Sequence, residues 1–124
     1  MNTASLDKLK QCDPRLIKLI MRVDEIYPVH VICGHRNKED QNAAFKSNHS
    51  KLEFPNSKHN LFPSLAVDVV PDPDRNPKTI SWVDLKAFEI MLLAIEAIAE
   101  DQGVKIRLGR DFKFKDWPHV ELRV

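Results

Sequence analysis

The most constraining feature of the sequence is a long apolar segment in the second half of the chain. Between Ser81 and Gln102, apolar residues would occupy most of the circumference of a helix rather than one narrow stripe. These residues are Leu85, Phe88, Ile90, Met91, Leu92, Ala94, Ile95 and Ile98. We expect Ser81 to cap the start of this helix and Gly103 to end it. A helix with so much apolar surface must be covered by other elements, so we expect it to support the core.

The rest of the chain predicts short strands interspersed with further helices. Asp13 as N-cap and Pro14 at the first helical position begin an amphipathic helix that ends near Tyr27-Pro28. Further helical segments are expected at Ser5–Cys12 and Lys38–Ser47. Strands are expected at Val29–Cys33, Leu65–Val70, Val104–Leu108 and His119–Val124. The sequence therefore predicts an α+β fold class, in which a small antiparallel sheet packs on helices and keeps one face for a site.

Composition and charge exclude several classes of protein. With 124 residues, the chain is expected to form a single domain spanning residues 1–124. Its 19 basic and 18 acidic residues form no basic stripe along the sequence, which disfavours a nucleic-acid partner. The longest apolar run, Ile90–Ile95, is far too short to span a membrane. The N-terminus lacks the pattern of a secretory signal peptide, so we expect synthesis in the cytoplasm and free thiols at Cys12 and Cys33.

Two of the five histidines stand near acidic residues at spacings that suit a metal site. His59 precedes Asp68 by nine residues, and His119 follows Asp116 by three. Asp68 lies among apolar strand residues, so its carboxylate needs a partner, for which a metal ion is one candidate. Zinc binds imidazole nitrogen and carboxylate oxygen, and a catalytic zinc keeps three protein ligands. A loop histidine and a buried, hydrogen-bonded aspartate are the alternative explanation of this pattern.

Neighbouring residues also have alternative interpretations. Glu121 shares the strand face of His119, and we interpret it as a partner that orients a ligand histidine rather than as the base. His49, in the loop of about seventeen residues from Asn48 to Ser64, is interpreted as a solvated side chain. Trp117 could stack on a substrate or pack on the core, and Trp82 is expected to pack.

These motifs together resemble the zinc D-Ala-D-Ala carboxypeptidase family, which includes vancomycin-resistance D,D-dipeptidases and phage L-alanyl-D-glutamate endolysins. The family pattern Ser-x-His followed by Ala-x-Asp matches Ser57–His59 and Ala66–Asp68. Its closing acid-x-x-His matches Asp116–His119, and its upstream Gly-x-Arg-x4-Gln matches Gly34–Gln41. The three motifs occur in the family order, so their combination is more specific than any one of them.

The resemblance implies a fold, a metal and roles for named residues. The fold would be that of these metallopeptidases, with Zn²⁺ bound by His59, Asp68 and His119. Asp116 would be the general base of a metal-assisted amide hydrolysis. Arg36 would hold a substrate carboxylate through its planar fork of donors, and Ser57 and Gln41 would shape the cleft. The implied substrate is the stem peptide of peptidoglycan.

Two details of the motifs favour one branch of the family. The spacing from histidine to aspartate is nine residues and includes Pro63, a longer form that is typical of the phage-type members. The acid before His119 is aspartate, as in the endolysin branch. We therefore expect a monomeric L-alanyl-D-glutamate endopeptidase that reaches the cell wall after holin-type release. The alternatives are a D-Ala-D-Ala carboxypeptidase and a non-catalytic binding module that retains the fold.

Overall fold

The structure, a computed structural model, describes residues 1–124 and contains four α-helices and one four-stranded sheet. The helices are α1 Thr3–Leu9, α2 Pro14–Ile26, α3 Lys38–Lys46 and α4 Leu85–Gln102. The strands are β1 Val29–Cys33, β2 Ala66–Pro71, β3 Ile106–Leu108 and β4 His119–Leu122. The predicted α+β class is confirmed, and each predicted helix and strand is present with bounds that differ by a few residues.

The sheet is antiparallel throughout, with the strand order β1-β2-β4-β3. Asp68 of β2 pairs with His119 of β4 on one side and with Cys33 of β1 on the other. Since side chains alternate between the two faces of a strand, these three residues lie on the same face. Val67 and Val120, a neighbouring pair in the same register, therefore point to the opposite face and into the core.

The core lies between the sheet and the two longest helices, α2 and α4, which also pack on each other. Fully buried side chains from α4 include Met91, Leu92 and Ile95. The short helix α1 covers the outer edge of β1, where the Ser5 hydroxyl accepts a hydrogen bond from the Val31 amide at 3.0 Å. One face of the sheet is thus covered by helices, and the other is left for polar side chains. None of the four helices combines the length and hydropathy that crossing a membrane requires.

The start of α4 differs from the sequence prediction. Asp84, not Ser81, is the N-cap, because its carboxylate accepts a hydrogen bond from the Ala87 amide at 3.1 Å. The helix therefore begins at Leu85, and it ends, as predicted, at Gly103, whose φ of 68° is left-handed. Leu93, which is 65% exposed, faces away from the core, so the apolar circumference of α4 is only partly covered.

Candidate metal centre and active-site cleft

Three side chains on the open face of the sheet converge on one point. His59 lies in a short 3₁₀ helix, Lys58–Asn60, and its Nε2 is 3.2 Å from the Asp68 Oδ1. His119, at the start of β4, places its Nδ1 3.3 Å from the same oxygen. All three residues are buried. The side chains that sequence analysis proposed as metal ligands are therefore brought together by the pairing of β2 with β4 and by the 3₁₀ helix.

The outer nitrogen of each imidazole is engaged by a different acceptor. His59 Nδ1 lies 2.7 Å from the Gly34 carbonyl oxygen, and His119 Nε2 lies 2.8 Å from the Glu121 Oε1. These partners assign the proton of each neutral ring to the outer nitrogen. The inner nitrogens then turn lone pairs toward the carboxylate of Asp68. Three acceptors that face one another require a cation between them, and the donor set of two imidazoles and one carboxylate suits Zn²⁺.

The three side chains also shift one another's pKa values. Burial opposes protonation of His59, but the adjacent Asp68 carboxylate outweighs burial and raises the His59 pKa to about 10. Burial likewise opposes protonation of His119, while hydrogen bonds to Asp68 and Glu121 raise its pKa. The pKa of Asp68 is lowered, because both histidines outweigh the effect of burial.

Asp116 stands beside this group on the turn that precedes β4. Its carboxylate oxygen and the donor atoms of Asp68 and His119 lie within 4.8 Å of one another. Burial, followed by the negative charge of Asp68, raises the pKa of Asp116. Asp68 forms ion pairs with its neighbours, whereas the Asp116 carboxylate forms no ion pair or hydrogen bond with another protein group. An unpaired carboxylate with a raised pKa is suited to accepting a proton.

Gly109 makes this position of Asp116 possible. The Gly109 carbonyl accepts a hydrogen bond from the Asp116 amide at 2.9 Å, so the two backbone segments lie in contact. A Cβ atom at Gly109 would collide with the Asp116 carbonyl oxygen and would lie 2.8 Å from the His119 Cβ. Only glycine allows the two backbone segments to approach this closely. Their contact joins the loop after β3 to the start of β4.

Arg36 connects the metal-binding group to a buried glutamine. Its guanidinium lies 3.6 Å from the Asp68 Oδ2 and donates a hydrogen bond to the Gln41 Oε1 at 3.0 Å. Gln41 is fully buried and donates in turn to the Ser50 hydroxyl and to the Leu52 carbonyl oxygen. Arg36 lines the cleft, whereas Gln41 holds Arg36 and the loop around residues 50–52 in place from beneath.

Ser57 and Lys58 fix the segment that carries His59. The Ser57 hydroxyl accepts a hydrogen bond from the His59 amide at 3.2 Å and so caps the 3₁₀ helix. Lys58 Nζ lies 3.0 Å from the Glu121 Oε2 and donates to the Leu122 carbonyl oxygen at 2.6 Å. Glu121 is therefore held by Lys58 while it orients His119, as the interpretation of Glu121 as an orienting partner requires.

The metal-binding group opens into a cleft of about 1040 Å³. Residues 48–52 line the cleft on one side and residues 112–116 on another. Trp82 also lines it and is 55% exposed, so the prediction that Trp82 packs is wrong. The segment before α4 is not helical, and it leaves this ring outside the core. Trp117 packs near the buried Phe88, with ring centroids 6.4 Å apart. Of its two interpretations, packing on the core is therefore correct, and stacking on a substrate is not.

Cys33 lies beside the site and is one of the residues that the sequence did not predict there. Its Sγ, with donor atoms of His59 and Asp68, forms a second group within 4.8 Å. The thiol also lies 3.5 Å from the Arg36 guanidinium. Both cysteines are free, as expected, and burial raises the pKa of Cys12 to about 12. No signal in the sequence points to Cys33, because only the register of β1 against β2 places it opposite Asp68.

The close contact at Gly109 predicts a selective loss of metal affinity in Gly109→Ala. The added methyl must displace the Asp116 backbone or His119, at a cost of about 1–3 kcal/mol in unfolding free energy. Gly103→Ala is the matched control, since the left-handed φ at this position costs alanine about 1–2 kcal/mol while its Cβ meets no other group. Zinc titration with thermal unfolding should show weaker zinc stabilisation in Gly109→Ala only. Equal stabilisation in both variants would contradict this role of Gly109.

Comparisons with known proteins agree with this geometry. A family model described as phage L-alanyl-D-glutamate peptidase matches residues 1–122. The crystal structure of the Serratia marcescens L-Ala D-Glu endopeptidase ChiX is similar, with a TM-score of 0.83 and 25% sequence identity. This similarity covers 99% of the present chain and 89% of the ChiX chain. A search of curated proteins found no match. Since the family model covers nearly the whole chain, the chain belongs to the phage L-alanyl-D-glutamate peptidase family.

Proposed function

We propose that residues 1–124 form a zinc-dependent peptidase domain that cleaves the L-alanyl-D-glutamate bond of peptidoglycan stem peptides. The observation that carries this proposal is the convergence of His59, Asp68 and His119 on one point, beside the unpaired carboxylate of Asp116. Membership in a peptidase family and the similarity to ChiX support the same activity. The cleft is large enough for several residues of a peptide.

The residues of the site have complementary roles in this proposal. His59, Asp68 and His119 hold the metal, the Gly34 carbonyl and Glu121 orient the two imidazoles, and Ser57 caps the 3₁₀ helix that carries His59. Zinc, when bound there, supplies a Lewis acid that polarises the scissile carbonyl and lowers the pKa of a water ligand. Asp116 accepts the proton of the attacking water and then delivers a proton to the leaving amine.

Arg36 is proposed to position the substrate. Its side chain is 16% exposed at the cleft, and two of its contacts, with Gln41 and Asp68, hold the guanidinium in one orientation. A guanidinium that is already ordered loses little entropy when it binds a carboxylate. The α-carboxylate of D-glutamate is a suitable partner, because peptidoglycan links this residue through its side chain and leaves that group free.

Digestion of purified peptidoglycan tests the proposed bond specificity. Protein loaded with zinc should release fragments with new N-terminal D-glutamate and C-terminal L-alanine, and chelation should abolish them. Mass spectrometry of the fragments identifies the new termini. Loss of single terminal D-alanines would instead show a carboxypeptidase, and the absence of any metal-dependent product would favour a binding module.

Asp116→Asn tests the proposed base. The amide cannot accept a proton, so we expect the rate of hydrolysis to fall by roughly 10²–10⁴-fold. Zinc content should not change, because the variant leaves His59, Asp68 and His119 intact. Asp111→Asn is a control in an exposed carboxylate of the same loop and should retain activity. Equal activity of Asp116→Asn and the unmodified protein would reject Asp116 as the base.

Substitution of either histidine tests the proposed ligands. His59→Ala and His119→Ala each remove one nitrogen donor, and we expect zinc affinity to fall by at least about 100-fold. Metal content after dialysis, measured by atomic emission, is the readout. His49→Ala is the matched control, because His49 lines the cleft but its Nδ1 is engaged by the Ser47 hydroxyl at 2.7 Å. Unchanged zinc stoichiometry in the first two variants would reject the ligand set.

The proposed biological setting is lysis of a bacterial host by a phage. The family is a phage peptidase family, and a protein of this family acts on the cell wall. We propose that this chain is released to the wall by a holin-type permeabilisation of the membrane and that it acts as a monomer. A chain secreted by its own leader, or a dimer in solution, would contradict this part of the proposal.

A further inference from the structure

Two arginines of this protein differ from the others in having no anionic partner. The chain has seven arginines, and five of them have a carboxylate oxygen within 4.0 Å. The five are Arg15, Arg22, Arg36, Arg75 and Arg110. The remaining two, Arg107 and Arg123, are exposed. Both line the same groove, together with Lys105, which has no carboxylate partner either.

Lys105, Arg107 and Arg123 are here called the basic shelf. The sheet register places them on the same face as the metal-binding group. Arg107 of β3 pairs with Glu121 of β4, two residues beyond His119. The Arg123 amide donates to the Lys105 carbonyl oxygen at 2.9 Å, which continues the ladder by one step. Because side chains alternate along a strand, His119, Glu121 and Arg123 share one face.

The groove at the basic shelf adjoins the cleft. Its volume is about 1020 Å³, and Lys58, Arg107 and Glu121 line both spaces. A ligand bound in the cleft can therefore extend along β4 onto the basic shelf without leaving the surface. The Arg107 guanidinium lies 4.5 Å from the ring centroid of Phe112, a stacked position that leaves its donor edge free.

The one acidic side chain between the two spaces does not neutralise the basic shelf. Glu121 lies opposite Arg107, but its two oxygens are engaged by His119 at 2.8 Å and by Lys58 at 3.0 Å. The carboxylate of Val124, at the end of the chain, also borders the groove, yet it forms no ion pair within 4.0 Å. The positive charge of the basic shelf is therefore available to a ligand.

We propose that the basic shelf is a second carboxylate-binding subsite for the peptide substrate, separate from the position of Arg36. This inference rests on the proposed function. Arg123 is four residues beyond His119, a distance of about 13 Å along a strand, which three or four extended peptide residues can span. The carboxylate bound there is the C-terminal carboxylate of the stem peptide, on the D-glutamate side of the scissile bond. Two guanidinium groups and one ammonium group match it in charge.

Binding of a product peptide tests this subsite without requiring cleavage. The probe is the tripeptide D-Glu-L-Lys-D-Ala, linked through the side chain of D-glutamate, and its C-terminal amide is the comparison. Titration calorimetry with the zinc-loaded protein should show roughly tenfold tighter binding of the acid. The double variant Arg107→Gln/Arg123→Gln keeps only Lys105 of the basic shelf, so it should lose most of the preference for the acid, with the affinity for the amide unchanged. Thermal unfolding checks that the variant is folded.

A matched double variant controls for the loss of two positive charges. Lys78→Gln/Lys86→Gln changes net charge equally at exposed positions outside both the cleft and the groove, and it should keep the preference for the acid. Equal binding of acid and amide by the unmodified protein would overturn the subsite while leaving the proposed function intact. A preference for the acid that is undiminished in Arg107→Gln/Arg123→Gln would also overturn it. Failure of both peptides to bind would contradict the proposed function as well.

Discussion

Asp68 places an ionised carboxylate in β2, a strand whose six residues are all buried. Removing such a charge from water costs on the order of several kcal/mol unless partners compensate for it. The partners are His59, His119 and Arg36, and each comes from a different segment of the chain. The need to satisfy this carboxylate therefore determines where the 3₁₀ helix, the start of β4 and the segment after β1 meet.

The same arrangement explains why the site is suited to a cation. Gly34 and Glu121 fix the outer nitrogens of the imidazoles, so the inner nitrogens present lone pairs to the Asp68 carboxylate. A metal ion bound among these acceptors would relieve the repulsion between them. The proposed ligands are held by strands, a capped helical turn and hydrogen bonds, so little reorganisation is needed when the ion binds.

The proposed base is held differently from the ligands. Asp116 lies on a turn, and its position depends on the close approach of its backbone to Gly109. Its carboxylate forms no hydrogen bond or ion pair with another protein group. Burial and the nearby negative charge of Asp68 raise its pKa. The site thus combines ordered metal ligands with an acid that remains free to exchange a proton.

The sequence by itself determined the elements and the chemistry of the candidate site. Local signals predicted α2 from Asp13 and Pro14 and the end of α4 at Gly103, because caps and turn residues act within a few positions. The motifs, together with the family resemblance, selected His59, Asp68, Asp116 and His119, which the fold brings close together.

Only the tertiary structure decided which side chains became neighbours. Asp68 and His119 are 51 positions apart, and strand register alone makes them adjacent; the same register brings Cys33 to the site. The chain carries a net charge of only +1, yet the sheet collects Lys105, Arg107 and Arg123 on one shelf. Pairing of distant strands depends on the packing of the whole core, which no local pattern of residues encodes.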